Sequence, residues 1–219
     1  GVEISPWHDI ALKGTTRGTF NFVNEIPRGT RAKLEINKEA PHNPIIQDTK
    51  KGALRYYHSD SLVNYGALPQ TWEDPTSKDV VSDLDGDGDP VDAIEIGTQV
   101  ATVGEVYEVK VIGALMMIDG GEADWKIVVI RASDPLAESL TDISRAPAEV
   151  QAKMVEIREW FRDYKIPDGK PPNEFAYNGE YQGPGVAGQV IEATHGHWLK
   201  LVHGTGYEDY WLKEDPHSE

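Results

Sequence analysis

DLDGDGDPVDAIEIG, from Asp83 to Gly97, sets five aspartates within ten residues and then runs into an alternating apolar stretch. Crowded carboxylates need cations, so the segment reads either as a calcium-binding loop or as part of a metal-dependent site. In a helix-loop-helix calcium loop, Asp83, Asp85 and Asp87 would fill ligand positions one, three and five, with Gly88 making the sharp turn at position six. The second half breaks that pattern. Position twelve, a bidentate glutamate in such loops, falls on Ile94 with Glu95 one residue late, and Pro90 removes a backbone N–H. No amphipathic helix leads in through QTWEDPTSKDVVS, whereas VDAIEIG alternates as a strand does.

Working outward, the chain has 219 residues, enough for one domain of ordinary size that buries roughly 70% of its unfolded surface. A net charge of −16, from 37 acids against 21 lysines and arginines, argues against a nucleic-acid partner. It leaves room for a small phosphate ligand, because local basic residues and bound metals reverse the sign of a cleft. No apolar run approaches the ~20 residues of a membrane span. The absence of cysteine excludes disulfides, thiolate catalysis and sulfur-ligated metals. A start at Gly1 without methionine reads as a processed chain or a piece of a longer one.

Strand signals dominate the first half. RAKLEIN alternates, so a strand would place Lys33 and Glu35 on one polar face, and TFNFVNEIP reads as its hairpin neighbour with PRG at the turn. A Pro- and Gly-punctuated segment from Asn37 to Pro75 carries short strands and loops. GEVYEVKVIGALMMI and DWKIVVIRA form a further strand pair across the loop DGGEA. Helical spacing starts late, in PAEVQAKMVEIREWFRDYK with Val150, Met154, Ile157, Phe161 and Tyr164, and again from about Val186 to Val202. Strands followed by helices predict an α+β fold with a mainly antiparallel sheet, closed into a distorted small OB-like β-barrel that hides its edges, with two principal helices and extra hairpins.

Two acidic clusters flank a strand pair: Asp87, Asp89 and Asp92 in one, and Asp119, Glu122 and Asp124 in the other. Two carboxylates ~4 Å apart repel by about 4 kcal/mol at an effective dielectric of 20, so converging clusters call for divalent metals, and all-oxygen ligands favour Mg²⁺, Mn²⁺ or Ca²⁺. Lys33, Arg55, Lys126 and Lys165, with Tyr65 and Tyr164, supply donors for phosphate oxygens. HGHWLKLVH offers His195, His197 and His203, but i and i+2 diverge on a helix, so a surface helix is the default there.

DGDPVD, set in GDGDPVDAIEIG, resembles the signature of the soluble inorganic pyrophosphatases that use a small distorted β-barrel. The resemblance continues through EIPRGTRAKLEI, NPIIQDTKKGALRY, NYGALPQTWEDP, DGGEADWK and EWFRDYKIPDGKP, and is greatest to the eukaryotic branch. It implies one catalytic domain over residues 1–219 that hydrolyses pyrophosphate by direct attack of a metal-bridged hydroxide. Three or four Mg²⁺ per site are implied, with Mn²⁺ or Zn²⁺ as substitutes and Ca²⁺ inhibitory. By matching position, Asp87, Asp92, Asp119, Asp124 and Glu35 hold metals and Asp89 is the general base. Lys33, Arg55, Tyr65, Lys126, Tyr164 and Lys165 bind phosphate, while Glu25 and Glu122 support the site. A homodimer is implied, in the cytoplasm or in an acidic organelle that stores calcium and phosphate. Short polyphosphate as substrate, and a calcium-binding module, are the alternatives.

Departures from that pattern are Ser61 where a second tyrosine can stand, Gly120 in place of an acid, and Gly88 where asparagine is common. Gly120 is expected to loosen the loop around Asp119, and the loss at Ser61 to remove a phosphate contact. Asp83 and Asp85 lie outside the matching block and are expected to be accessory. The aromatic tail, Tyr207, Tyr210 and Trp211, serves either an interface or a cap on the core.

Overall fold

The fold is that of a computed structural model, which describes residues 1–79 and 81–212. Ten strands precede or flank two helices. The main sheet contains β1 (Phe20–Ile26), β6 (Asn64–Ala67), β7 (Asp92–Glu95), β8 (Val106–Asp119), β9 (Glu122–Arg131) and β10 (Glu174–Phe175). Two small ribbons stand apart from it: β2 (Leu34–Ile36) with β3 (Ile45–Gln47), and β4 (Thr49–Lys50) with β5 (Ala53–Leu54).

Pairings run β1–β6–β7–β9–β8, and β8 returns to β1, so the strands form a ring in which only β7 and β9 are parallel. Because β1 offers its two edges to β6 and β8, RAKLEI cannot be its hairpin partner. Leu34–Ile36 instead pairs Ile45–Gln47 across the loop NKEAPHNP. The alternation in RAKLEIN was sound, but which strand it joins is a non-local matter that local pattern does not carry.

Side chains alternate across β9, and the two faces meet different helices. Trp125, Ile127 and Val129 join Phe22 and the helix α2 (Pro184–His203) in one core. Val128 and Ile130 face the other way, onto α1 (Ala148–Asp163) through Met154, Ile157 and Phe161. Both helices lie where the 3.6-residue spacing puts them. A polar pair, Asp124 and Lys126, shares the α1 face of β9, and this places charge at the end of an otherwise apolar ring.

The β8–β9 hairpin turns at Gly120 and Gly121, with φ of +62° and +96°. A two-residue turn with both φ positive matches the twist of its strands and suits glycine. Gly120 therefore makes the turn tight rather than loose. Tyr207 and Tyr210 pack edge-on against Trp72, and Tyr210 also meets Trp7. Within this chain the tail thus caps the core. Among the described residues no helix is long and apolar enough to cross a membrane.

Candidate active site

The segment GDGDP is fixed between two elements. Glu73, in the loop after β6, donates its backbone N–H to Asp89 O at 2.9 Å and accepts from Gly88 N at 2.9 Å, while Asp85 O accepts from Ala123 N on β9 at 2.9 Å. Asp87 Oδ1 accepts from Asp89 N at 2.9 Å, which turns the loop so that its acids face inward. Gly88, with φ of +81°, holds a conformation that suits glycine, and an added Cβ would come 2.9 Å from Tyr210 Oη. Asp83 and Asp85 stay outside and exposed, with Asp85 paired to Lys78 at 2.8 Å.

All but three of the residues that the family resemblance assigns to the site line one cleft. Parallel pairing of β7 and β9 sets Asp92 opposite Lys126, and the two-residue period puts Asp124 on the same face. Lys126 Nζ, 2% exposed, reaches Asp92 and Asp124 at 2.5 Å each and Tyr65 Oη at 3.1 Å. Tyr65 Oη donates to Asp92. Glu25 on β1 is buried and accepts from Ile36 N at 2.8 Å. Tyr164 Oη donates to Asp119 at 3.0 Å, and Lys33 pairs with Glu35 at 2.7 Å, as two same-face neighbours should.

The exceptions are Arg55, Lys165 and Glu122. Arg55 lines an adjoining groove with Lys33 and Asp89 and is held by Asp48, which also takes Lys33 at 2.9 Å. Lys165 pairs with Asp119 from a groove beside Gly120. Glu122 is exposed at the hairpin end and lies outside the cleft lining. His195 Nδ1 donates to Gln70 O, 2.7 Å away, and His195 lies in α2, outside the cleft lining.

Sequence reading passed over Glu73. It is 4% exposed, and with Asp87 and Asp124 it places carboxylate oxygens within 4.8 Å of one another. Burial, then the neighbouring Asp87 and Asp124 charges, push Glu73 well above the usual carboxylate range. Burial, then Asp89 and Asp124, do the same to Asp87. Asp124 is pushed up to about 7 by burial and by Asp92, against the pull of Lys126. Glu25 is raised by burial and by Asp92. Asp119 goes the other way: burial opposes its charge, but Lys165 holds it below the usual range.

These carboxyls are raised because nothing at hand compensates them fully. Glu73 Oε2 is buried without a hydrogen-bond partner among the described residues. An all-oxygen set with an orphaned acceptor, facing lysines and phenols, fits a hard divalent cation and an anionic ligand beside it.

A family model described as inorganic pyrophosphatase matches residues 22–199. The chain belongs to the inorganic pyrophosphatase family. It is 49% identical over 210 residues to the inorganic pyrophosphatase of Candida albicans, covering 93% of this chain and 73% of that protein. To the chloroplastic soluble inorganic pyrophosphatase 6 of Arabidopsis thaliana it is 46% identical over 203 residues, covering 92% and 67%. The structure of the Schistosoma japonicum inorganic pyrophosphatase superposes with a TM-score of 0.89 at 45% identity, covering 93% of this chain and 75% of that one. An N-terminally truncated vacuolar soluble pyrophosphatase of Trypanosoma cruzi, in complex with PPi, gives 0.87 at 44% identity, covering 91% and 80%.

As a pyrophosphatase-family cleft, the site has one local peculiarity at the position of Ser61. Its hydroxyl is buried and donates to Val63 O at 2.8 Å, so it is committed to its own turn. The cleft wall is completed instead by Tyr57, which the sequence reading did not single out.

Proposed function

We propose that this chain hydrolyses inorganic pyrophosphate to two phosphates in the cleft, with Mg²⁺ as its metal. The observation that carries the reading is the gathering of Asp87, Asp92, Asp119 and Asp124 with Lys33, Lys126, Tyr65 and Tyr164 in one cleft, with the buried Glu73 carboxylate within 4.8 Å of those of Asp87 and Asp124. Asp87, Asp92, Asp119, Asp124 and Glu35, joined by Glu73, are the groups that would hold three or four ions. Bound Mg²⁺ supplies a lowered water pKa and offsets the charge of pyrophosphate.

The protein's own groups divide the remaining work. Asp89, half-exposed at the mouth, takes the proton of the attacking water. The water oxygen bonds to one phosphorus as the bridging P–O bond breaks, and the leaving phosphate keeps the electron pair. Lys33, Arg55, Lys126 and Lys165 take up the charge on phosphate oxygens, and Tyr65 and Tyr164 orient them. Several of these donors are tied to carboxylates, Lys33 to Glu35 and Lys165 to Asp119. Once those carboxylates are otherwise compensated, the ammonium groups are free to turn to phosphate. Glu25, buried on β1, fixes β2 against β1 through Ile36 N. Glu122, at the exposed hairpin end, has a supporting part at most.

In this reading the strand ring is the distorted small closed OB-like barrel, and residues 1–219 act as one catalytic domain. A homodimer in the cytoplasm or in an acidic calcium- and phosphate-storing organelle goes with it, and the vacuolar soluble relatives support the second location.

Phosphate release from pyrophosphate tests the proposal. Rapid release is expected in Mg²⁺. Ca²⁺ alone should support almost none, because its longer and looser coordination places the reacting water poorly. Asp89→Asn should lower turnover by about 10²–10⁴-fold, the span typical of general-base loss. Asp85→Asn, altering the surface pair with Lys78, should stay near the parent. No release in Mg²⁺, or equal release in Ca²⁺, would sink the reading.

A further inference from the structure

Three phenols line the cleft, and two of them are committed to carboxylates. Tyr65 Oη donates to Asp92, and Tyr164 Oη donates to Asp119 at 3.0 Å. The third, Tyr57, makes no side-chain hydrogen bond to any described residue. Its ring is nevertheless held firmly. It packs edge-on against Trp160, with centroids 4.9 Å apart, and against Tyr164 at 5.6 Å. Its backbone N–H donates to Arg31 O at 2.8 Å. Lys33 and Lys126 line the same cleft, and their charges act on the phenol.

Tyr57 is half-buried, and its hydroxyl, with no partner among the described residues, is open to a ligand in the cleft that it lines. The carboxylates whose charge acts on Tyr57 are already supplied with donors, Asp92 by Lys126 and Tyr65, and Glu25 by Ile36 N. Burial keeps the Tyr57 phenol protonated, so it is a donor with nothing to donate to. Ser61, four residues further along this segment, is spent on Val63 O and does not compete for the same ligand.

We propose that Tyr57 is a further substrate-contacting residue, its phenol donating a hydrogen bond to a phosphate oxygen of pyrophosphate held between Lys33 and Lys126. This rests on the pyrophosphatase reading above. An anionic acceptor suits the position because two ammonium groups face it, and a rigid ring delivers the donor without reorganisation. The contact acts on bound substrate and transition state alike, so it should appear in KM rather than in kcat.

Tyr57→Phe removes the hydroxyl and leaves the packing on Trp160 and Tyr164. KM for pyrophosphate in Mg²⁺ is expected to rise about tenfold, as for loss of one hydrogen bond to a charged group, with kcat within about threefold of the parent. The affinity for imidodiphosphate, a non-hydrolysed analogue, measured by calorimetry in Mg²⁺, should weaken by the same factor. The thermal midpoint of the metal-free protein should not move. A parent that hydrolyses pyrophosphate beside a variant with unchanged KM and unchanged analogue affinity would overturn the Tyr57 contact and leave the function standing. A lowered midpoint with kcat lost and KM unchanged would also overturn it, in favour of a packing role. A parent that binds the analogue more tightly than the variant without hydrolysing pyrophosphate would keep the contact and remove the function.

Discussion

Asp87→Asn is expected to lose more than about 100-fold in turnover and yet to make the metal-free protein more stable at neutral to alkaline pH. Groups that merely orient metal ligands are worth about 10–100-fold, and Asp87 stands among the ligands themselves. Its Oδ1 also accepts from Asp89 N, a bond that asparagine keeps, so the loop should hold its shape. Stability moves the other way because the Asp87 carboxyl is buried and faces Asp89 and Asp124, which push its ionisation up. Where the unfolded chain has already released this proton and the folded protein retains it, rising pH favours the unfolded state. That penalty is absent near pH 4, around the ordinary carboxylate value, and complete above the raised one. Asparagine removes it. In chelator, the variant should therefore match the parent at about pH 4 and melt a few degrees higher at about pH 8, since about 1 kcal/mol moves the midpoint of a chain this size by roughly 2–4 °C. Equal midpoints at both pH values would mean that the acids do not repel one another as their geometry implies.

Lys126→Met should do the reverse. Lys126 is fully buried and bridges Asp92 and Asp124, so its removal leaves two nearly buried acids without their cation. Breaking a buried pair on one side costs about 3–5 kcal/mol, equivalent here to about 10 °C in the metal-free protein. Mg²⁺ should restore part of that loss by compensating the same carboxylates. Turnover should remain depressed, because the ammonium is also a phosphate donor in this account. Adding Asp92→Asn to Lys126→Met should recover stability without recovering turnover. Calorimetry and phosphate release read the two effects separately, and a Lys126→Met protein as stable as the parent in chelator would contradict the charge balance described above.

Much of this arrangement was legible in the sequence because it is local. The spacing of Met154, Ile157 and Phe161 gives α1 its buried face, and DGGE between two alternating runs gives the β8–β9 hairpin. Lys33 and Glu35 share a face by period alone. What escaped depends on partners far along the chain. β1 pairs β6 and β8 rather than β2, a choice made by how the ring closes on itself and not by PRG. Glu73 sits in LPQTWEDP beside a single other acid, Asp74, and the only signal that separates it from a surface acid is its place directly after a tryptophan. Tyr57 was hidden for a similar reason, since YYHS carries no pattern that tells an exposed Tyr56 from a cleft-lining Tyr57.

The central claim is that one cleft gathers the acids as metal ligands for pyrophosphate hydrolysis. Anomalous diffraction from crystals grown with Mn²⁺ and imidodiphosphate tests it most directly. The account predicts manganese peaks bound by Asp87, Asp92 and Asp124, with the analogue reaching Lys33 and Tyr57. Manganese on Asp83 and Asp85 instead, with the cleft acids free of metal, would contradict it and return the aspartate run to a surface binding loop.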